Sequence, residues 1–209
     1  ASDVYKRQVL KNVSFRVERG DKIAFISDKE TSVTALFEIL MEKDTQDSGT
    51  FKWGVSTSTS YFPKDNSEFF NDCDDSILNW LEQYNNGADH TETYLRGFLG
   101  RMLFSGEDVF KPVKVLSGGE KVRCMLSKMM MGGANVLVLD QPTNHLDLES
   151  ITAVNKGLAS FPGIVLFTSH DHEFISTVAN RIIFIQEDGI KDITSGYDEY
   201  LAANNLIRE

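Results

Sequence analysis

The sequence predicts an α/β fold in which a mostly parallel β-sheet is covered by helices, with an N-terminal antiparallel β subdomain and a helical subdomain. Short apolar runs typical of buried strands alternate with stretches of helical periodicity along most of the chain. A longer helical stretch at about residues 76–114 interrupts this alternation. The 209 residues, 41% of them hydrophobic, suit one large domain with a sizeable core, which we expect to occupy residues 9–209.

The pattern of the N-terminal third of the sequence predicts strands before and after a single helix. Residues 9–18 alternate apolar and polar side chains, which indicates a strand, and we expect residues 50–53 to join it in an antiparallel sheet. The apolar run 22–27 predicts a buried parallel strand, and a helix with apolar residues at helical spacing follows it. Residues 1–8 are charged and unpatterned, so they are left out of the fold prediction.

The rest of the chain continues as strands and helices in turn. After residues 76–114, a helix is expected to extend through residue 131 and a buried strand to cover residues 135–139. The remaining predictions are helices at 148–159, 171–179 and 197–204, and strands at 58–62, 163–168, 181–186 and 189–195. Strands that alternate with helices favour a parallel sheet covered on both faces.

Composition limits the function classes. The 21 basic and 31 acidic residues give a formal net charge of −10, which disfavours a general nucleic-acid surface, and no direct nucleic-acid patch is evident. Cys73 and Cys124 lack metal-ligand spacing and indicate two reduced cysteines, as in a cytoplasmic protein. No apolar stretch reaches the roughly 18 residues of a membrane span, so none is expected.

The motif at 116–120 contains two glycines just before a predicted helix. Ser117, Gly118, Gly119 and Glu120 could bring backbone N–H groups close to an anion, because the start of a helix carries unpaired N–H groups and a positive dipole end. A tight turn at a helix start uses the same residue types, and on this motif alone both interpretations stay open.

Two further positions follow buried strands. Asp140 stands at the end of the strand predicted at 135–139, where nucleotide-binding folds place an acidic Mg²⁺ ligand. His170 follows the strand at 163–168 and could contact a terminal phosphate. The ordinary alternatives are an aspartate that caps a turn and a histidine that begins a helix.

Taken together and in this order, these motifs resemble the ATP-binding cassette (ABC) family of P-loop NTPases. They match its signature motif, its Walker B strand, its D-loop with Asp147, and its switch histidine His170. The phrase at 142–147, PTNHLD, resembles the ABC-F family, whose members have two cassettes in one chain and no membrane domain. The segments 97–105 and 196–201 resemble the C-terminal cassette of its YbiT-like branch, and the resemblance extends over nearly the whole chain from residue 9.

The resemblance implies ATP and Mg²⁺ as cofactors and places the phosphate-binding loop at residues 27–34. The nucleotide-contacting positions there are Ser27, Lys29, Ser32, Val33 and Thr34. Ser27 replaces the first glycine and Val33 replaces the lysine, so only Thr34 keeps its chemistry, as an Mg²⁺ ligand beside Asp140. Asp28 and Glu30 add negative charge where a triphosphate would lie.

Two more family positions differ. Lys64 stands where the family has the Q-loop glutamine, and Gln141 stands where it has the general-base glutamate. An amide cannot accept a proton at neutral pH. All these losses affect the nucleotide held by this cassette, whereas Ser117 to Glu120, which act on a partner's nucleotide, are unchanged. Tyr5 is a candidate for stacking on adenine.

The resemblance therefore implies one cassette of a ribosome-associated ABC-F ATPase or translation factor in the cytoplasm. It would supply its signature loop in trans to a second cassette of the same full-length chain, while its own nucleotide site is degenerate. The alternative functions are a nucleotide-binding subunit of an ABC transporter and a structural module that binds no nucleotide. Nucleotide binding by the isolated domain separates the last alternative from the first interpretation.

Overall fold

The computed structural model describes residues 8–87, 89–144, 146–194 and 196–203. They form one six-stranded sheet with the strand order β2-β3-β4-β1-β5-β6. The strands are β1 (Lys22–Ser27), β2 (Thr59–Phe62), β3 (Val136–Asp140), β4 (Ile164–Thr168), β5 (Arg181–Gln186) and β6 (Gly189–Ile193). The first five strands are parallel to their neighbours, and β6 pairs with β5 in the antiparallel direction. The prediction of a mostly parallel sheet is confirmed.

Seven α-helices lie between or after these strands within the described residues. They are α1 (Glu30–Leu40), α2 (Ile77–Glu82), α3 (Glu92–Arg101), α4 (Gly118–Met131), α5 (Leu148–Ala159), α6 (His172–Val178) and α7 (Tyr197–Ala203), with short 3₁₀ helices at Ser67–Phe69, Gly106–Phe110 and Val113–Val115. No described helix combines the length and the apolar character that crossing a bilayer requires. The helix and strand positions agree with the periodicity of the sequence to within a few residues at each end.

Two apolar cores lie against the sheet, and the strands contribute to both by alternation. In β3, Leu137 and Leu139 belong to one core and Val136 and Val138 to the other. Successive side chains of a strand point to opposite faces, so a strand covered on both faces has a continuous apolar sequence. This explains why residues 136–139 are all apolar and buried.

The helical stretch predicted at about 76–114 contains α2 and α3. Trp80 anchors it, because its indole ring stacks on Phe70 at 5.2 Å between ring centroids and meets the edge of Tyr84 at 5.0 Å. Trp80 belongs to the same apolar core as α4 and one face of the sheet. The helices are therefore joined to the sheet by one continuous core, and the limits of a helical subdomain stay a prediction.

The predicted N-terminal antiparallel sheet is not formed. Residues 9–18 and 50–53 contain no strand, and no backbone hydrogen bond between them is found in the described part of the chain. The alternation of apolar residues is nevertheless used, because Val13, Phe15, Phe51 and Trp53 pack against the core on the α1 face. The two segments line a cavity of about 940 Å³. Side-chain burial alone therefore produced the pattern that the sequence analysis interpreted as strand pairing.

A few predictions concern residues outside the described ranges. They are the unpatterned segment 1–8 apart from Gln8, with Tyr5 as an adenine contact, and three single positions, His145, Ser195 and Asn204.

Candidate functional site

The sheet topology brings one end of four parallel strands together. Strands β2, β3, β4 and β1 are neighbours in that order, so their carboxyl ends lie along one edge of the sheet. In open α/β sheets this edge is where ligands bind. The polar residues that follow these strands meet there, and we call Glu30, Thr34, Lys64, Asp140, Gln141 and His170 the strand-end cluster.

Thr34 and Asp140 form the most buried contact of the cluster. The Thr34 hydroxyl Oγ1, on the first turns of α1, donates a 2.8 Å hydrogen bond to Asp140 Oδ2. Asp140 is only 1% exposed, and burial raises the pKa of its carboxyl group, partly offset by this hydrogen bond. Hydroxyl and carboxylate oxygens are the ligands that Mg²⁺ prefers. The structure thus brings together the two predicted metal ligands, and their binding of Mg²⁺ stays a prediction.

The Glu30 carboxylate joins two other members of the cluster. Lys64 Nζ donates to Glu30 Oε2 at 2.8 Å, and His170 Nε2 lies 2.7 Å from Glu30 Oε1. The hydrogen bond from Lys64, followed by that from His170, lowers the pKa of the Glu30 carboxyl group. The same contact raises the pKa of Lys64. Residues predicted as separate nucleotide contacts are therefore tied to one carboxylate of the chain.

Gln141 has an unusual backbone and an unsatisfied side chain. Its φ of +54° lies in the left-handed region, which costs a residue other than glycine about 1 kcal/mol or more and is concentrated at functional sites. The side chain is 5% exposed, and its Oε1 accepts no hydrogen bond from the described residues. The sequence predicted the loss of the general base at Gln141. The strained backbone and the burial of the side chain show that the surrounding structure holds this residue in place.

Most of the predicted nucleotide-contacting side chains in the loop at 27–34 contact other parts of this chain. The Ser27 hydroxyl accepts a hydrogen bond from the backbone N–H of Lys29, and Lys29 forms an ion pair of 3.7 Å with Glu187. The buried Ser32 hydroxyl donates to the carbonyl of Val9 at 2.9 Å. Val33 is 2% exposed and belongs to the apolar core beneath α1. Of the five predicted loop contacts, only Thr34 points into the strand-end cluster through a hydrogen bond.

The cluster fits a cation better than it fits a triphosphate. Thr34 and Asp140 offer two oxygens at the end of a buried strand, as few protein ligands as Mg²⁺ commonly uses. No larger group of metal-ligating side chains occurs among the residues that the structure describes. In contrast, Val33 leaves the lysine position without a charge, and the carboxylate of Glu30 stands at the beginning of α1. Both features are electrostatically unfavourable for a bound triphosphate.

The signature loop, Ser117–Glu120, is built differently. Ser117 caps α4, since its hydroxyl accepts from the Glu120 N–H at 3.3 Å while the Glu120 carboxylate accepts from the Ser117 N–H at 2.8 Å. Lys111 Nζ holds the other oxygen of that carboxylate at 3.1 Å. Ser117 and Gly118 are exposed. The predicted position at a helix N-terminus is confirmed, but the predicted exposure of residues 117–120 holds only for Ser117 and Gly118, because Gly119 is buried in the first turn of α4.

Gly119 and Asp147 connect the signature loop to α5. A Cβ atom on the buried Gly119 would lie 2.7 Å from Ser150 Oγ, so the close packing of the two helices needs a glycine here. Asp147 caps α5 by accepting from the Ser150 N–H at 2.7 Å, which lowers the pKa of its carboxyl group. No hydrogen bond or ion pair found in the described residues links Asp147 or the signature loop to the strand-end cluster.

Two sets of contacts at this edge of the sheet were missed by the sequence analysis. It treated Glu30 only as an unfavourable charge, although its position one turn before Thr34 was the available signal. It also passed over Thr143 and Ser169, whose hydroxyl groups form a buried 2.7 Å hydrogen bond between the loops after β3 and β4. Thr143 lies inside the phrase PTNHLD, and Ser169 directly precedes His170.

Known proteins similar to this chain agree on one family. The family model described as "ABC transporter" matches residues 10–144. The chain is 62% identical over 194 residues to the ABC transporter ATP-binding protein YkpA of Bacillus subtilis, covering 93% of this chain and 36% of that protein. It is 38% identical over 199 residues to the probable ATP-binding protein YbiT of Escherichia coli O157:H7, covering 95% and 37%.

The name of a further relative describes a cellular process. The chain is 32% identical over 203 residues to the energy-dependent translational throttle protein EttA of Escherichia coli K12, covering 93% of this chain and 36% of that protein. Among solved structures, an RNase-L inhibitor shares the fold with a TM-score of 0.73 at 18% identity, over 90% of this chain and 38% of that one. The chain spans little more than a third of the length of these proteins. It belongs to the ATP-binding cassette family and, with relatives such as YbiT and EttA, to its ABC-F group.

Proposed function

We propose that this chain is the cassette of an ABC-F type ATPase that serves its partner's nucleotide rather than its own. Its signature loop would act in trans on ATP held by a second cassette of the same full-length chain. Its own strand-end cluster would neither bind nor hydrolyse ATP productively. The observation that carries this proposal is the difference between a fully formed signature loop and a strand-end cluster closed by Glu30.

The signature loop supports the trans role by its exposure and its rigidity. Ser117 and Gly118 are exposed, while the reciprocal hydrogen bonds with Glu120 fix the start of α4. A helix start with fixed N–H groups and a positive dipole end is suited to an anion presented from outside the chain. Asp147 Oδ2 would lie 3.7 Å from a Cβ atom on Gly119, so Asp147 is beside the signature loop and we assign it to the same interface.

The strand-end cluster supports the inactive role by its chemistry. A general base must accept a proton, and the amide of Gln141 cannot do so at neutral pH. Val33 is buried and supplies no charge to a phosphate. The two losses are independent, because one concerns proton transfer and the other concerns electrostatic stabilisation. Restoring one group alone should therefore leave the cluster inactive.

The relatives indicate where the full-length protein works. EttA is named as a translational throttle, and we extend ribosome association to the protein that contains this chain, in the cytoplasm. The net charge of −10 is consistent with contacts to ribosomal RNA being made by other parts of that protein. Sedimentation of the full-length protein with ribosomes in the presence of ATP tests this extension. Recovery with a membrane fraction instead would support the transporter alternative.

Nucleotide binding by the 209-residue chain tests the inactive cluster. We expect no hydrolysis above background and no MgATP binding at micromolar concentration in calorimetry, for both the natural chain and Gln141→Glu. Losing a single catalytic proton acceptor typically costs about 10²–10⁴ in rate, so several losses leave nothing measurable. Tight MgATP binding by the natural chain would overturn the proposal.

A further inference from the structure

The carboxylate of Glu30 occupies a position that suits an external anion. Glu30 is the first residue of α1, which begins three residues after the end of β1 at the carboxyl edge of the sheet. The N-terminus of a helix at this edge attracts anions, since its N–H groups and dipole point towards them. No side chain caps α1 by a hydrogen bond. An acidic group at this point is therefore favoured by the local field.

Two donors from distant segments converge on this carboxylate. Lys64 lies 34 residues and His170 140 residues further along the chain, after β2 and β4 respectively. Each contacts a different oxygen, Lys64 at 2.8 Å and His170 at 2.7 Å. A cation and an imidazole that bracket one anion form the kind of arrangement that binds a phosphate, although here the anion belongs to the chain. An external anion must displace Glu30 to reach them.

The neighbouring Asp28 shows that charge alone does not produce this arrangement. Asp28 lies in the same loop and carries the same charge, but it is exposed, and the hydrogen bonds of Lys64 and His170 go to Glu30 and not to Asp28. If Glu30 merely offset the helix dipole, it would need neither Lys64 nor His170. The paired contacts therefore distinguish Glu30 from a general acidic residue of the loop.

We propose that Glu30 determines the specificity of this site, because its carboxylate is a built-in anion that holds Lys64 and His170 and thereby excludes triphosphates. The proposal rests on the inactive cluster put forward above and gives it a physical cause. It also assigns a role to Lys64, which is to pair with Glu30. Removing the charge of Glu30 should leave two unpaired donors and an uncapped helix start, which together attract a phosphate chain.

Calorimetry with inorganic tripolyphosphate at low salt tests this role on the 209-residue chain. Glu30→Gln keeps the size of the side chain and removes its charge, whereas Asp28→Asn makes the same charge change two residues earlier. We expect Glu30→Gln to bind tripolyphosphate at least about five-fold more tightly than the natural chain, the effect of one unit charge at about 4 Å in water. Asp28→Asn should gain clearly less than Glu30→Gln, because Asp28 repels the phosphate chain from an exposed position but its carboxylate holds neither donor.

The imidazole resonances of His170 provide a second measurement. In Glu30→Gln these resonances should shift, and they should shift again when tripolyphosphate is added. In Asp28→Asn and in the natural chain they should not respond to tripolyphosphate. Because residue 30 is about half exposed, its substitution is compatible with folding, which a thermal melt checks. A Glu30→Gln chain that folds and shows no gain in affinity overturns the proposal, as does an equal gain in Asp28→Asn.

The two proposals fail in different ways. If neither the natural chain nor Glu30→Gln binds tripolyphosphate or MgATP, the role of Glu30 is wrong and the inactive cluster stands. If the natural chain binds MgATP tightly, the proposal that the strand-end cluster is inactive is wrong, and so is the proposed role of Glu30. A selective gain in Glu30→Gln supports both.

Discussion

Helices α1 and α4 both begin beside residues that the family motifs mark, and the two beginnings differ in how their side chains are used. At α4, Ser117 and Glu120 bond to each other's backbone N–H groups and leave the loop exposed. At α1, no side chain caps the helix, and Glu30 reaches outward to Lys64 and His170. The start of α4 is capped by its own neighbouring residues and stays exposed. The start of α1 is instead covered by contacts of Glu30 with residues across the edge of the sheet.

This difference is the physical basis of the proposed function, in which the chain keeps one half of a shared site and loses the other half. A local capping box depends only on residues 117–120, so it persists whatever happens elsewhere in the chain. The strand-end cluster depends on side chains at or after the ends of four strands, and a carboxylate from α1 is enough to engage the donors that follow β2 and β4. The signature loop and the strand-end cluster can therefore change independently.

The largest expected effect comes from the signature loop. In the full-length protein, Ser117→Arg should lower ATP hydrolysis by about 100-fold or more, the scale of losing one preorganised anion contact. Arginine at this position also removes the cap, so circular dichroism must show that the domain remains folded. Ser105→Arg is the matched control, because Ser105 precedes a 3₁₀ helix, is exposed and makes no capping hydrogen bond. Unchanged hydrolysis in Ser117→Arg would contradict the trans role.

A smaller effect concerns Asp140, whose folded pKa is raised by burial. A carboxyl group with a raised folded pKa weakens the folded state once the pH exceeds its unfolded value of 3.8. Asp140→Asn should therefore raise the free energy of unfolding by about 1 kcal/mol at pH 7. The gain should shrink as the pH falls through 3.8 and disappear below it, where the carboxyl group is protonated in both states of the natural chain. Urea titrations at pH 7 and pH 3 measure it, and a gain that does not depend on pH would contradict the assignment to charge burial.

Substitutions at the two glycines of the signature loop should differ in unfolding free energy by about as much as Asp140→Asn changes it. Gly119→Ala places a Cβ atom 2.7 Å from Ser150 Oγ, so it should lower the free energy of unfolding by about 1 kcal/mol or more. Gly118→Ala meets no atom within 4 Å and should be neutral or slightly stabilising. Thermal or chemical denaturation of both variants decides the matter. Equal behaviour would show that α4 and α5 are not packed as described.

The smallest expected effects compare the two helix caps. Ser117→Ala removes an existing cap and should cost about 1 kcal/mol of unfolding free energy. Lys29→Ser introduces a capping side chain at the uncapped start of α1 and should gain about 0.5 kcal/mol. The ion pair of Lys29 with Glu187 is exposed and long, so its loss weighs little. A loss of stability in Lys29→Ser would show that the start of α1 is satisfied in another way.

The sequence by itself determined the sheet strands, the helices and the order of the motifs. Apolar runs such as 136–139 and helical periodicity are local properties, and they identify elements because burial acts on each element's own pattern. The capping box of Ser117 and Glu120 is also local, since both partners lie within four residues. For the same reason the losses at Val33 and Gln141 were visible before any contact was known.

Only the tertiary structure decided which side chains meet. The Glu30 contacts join residues separated by 34 and 140 positions, and they exist because β2 and β4 lie on the same side of β1 in the sheet order. The burial of Val33 and the contact of Gly119 with Ser150 likewise depend on how elements pack. At residues 9–18 the sequence predicted a strand that the structure does not contain. An alternating pattern indicates that one face is buried, but it does not show whether the backbone pairs with a neighbouring strand.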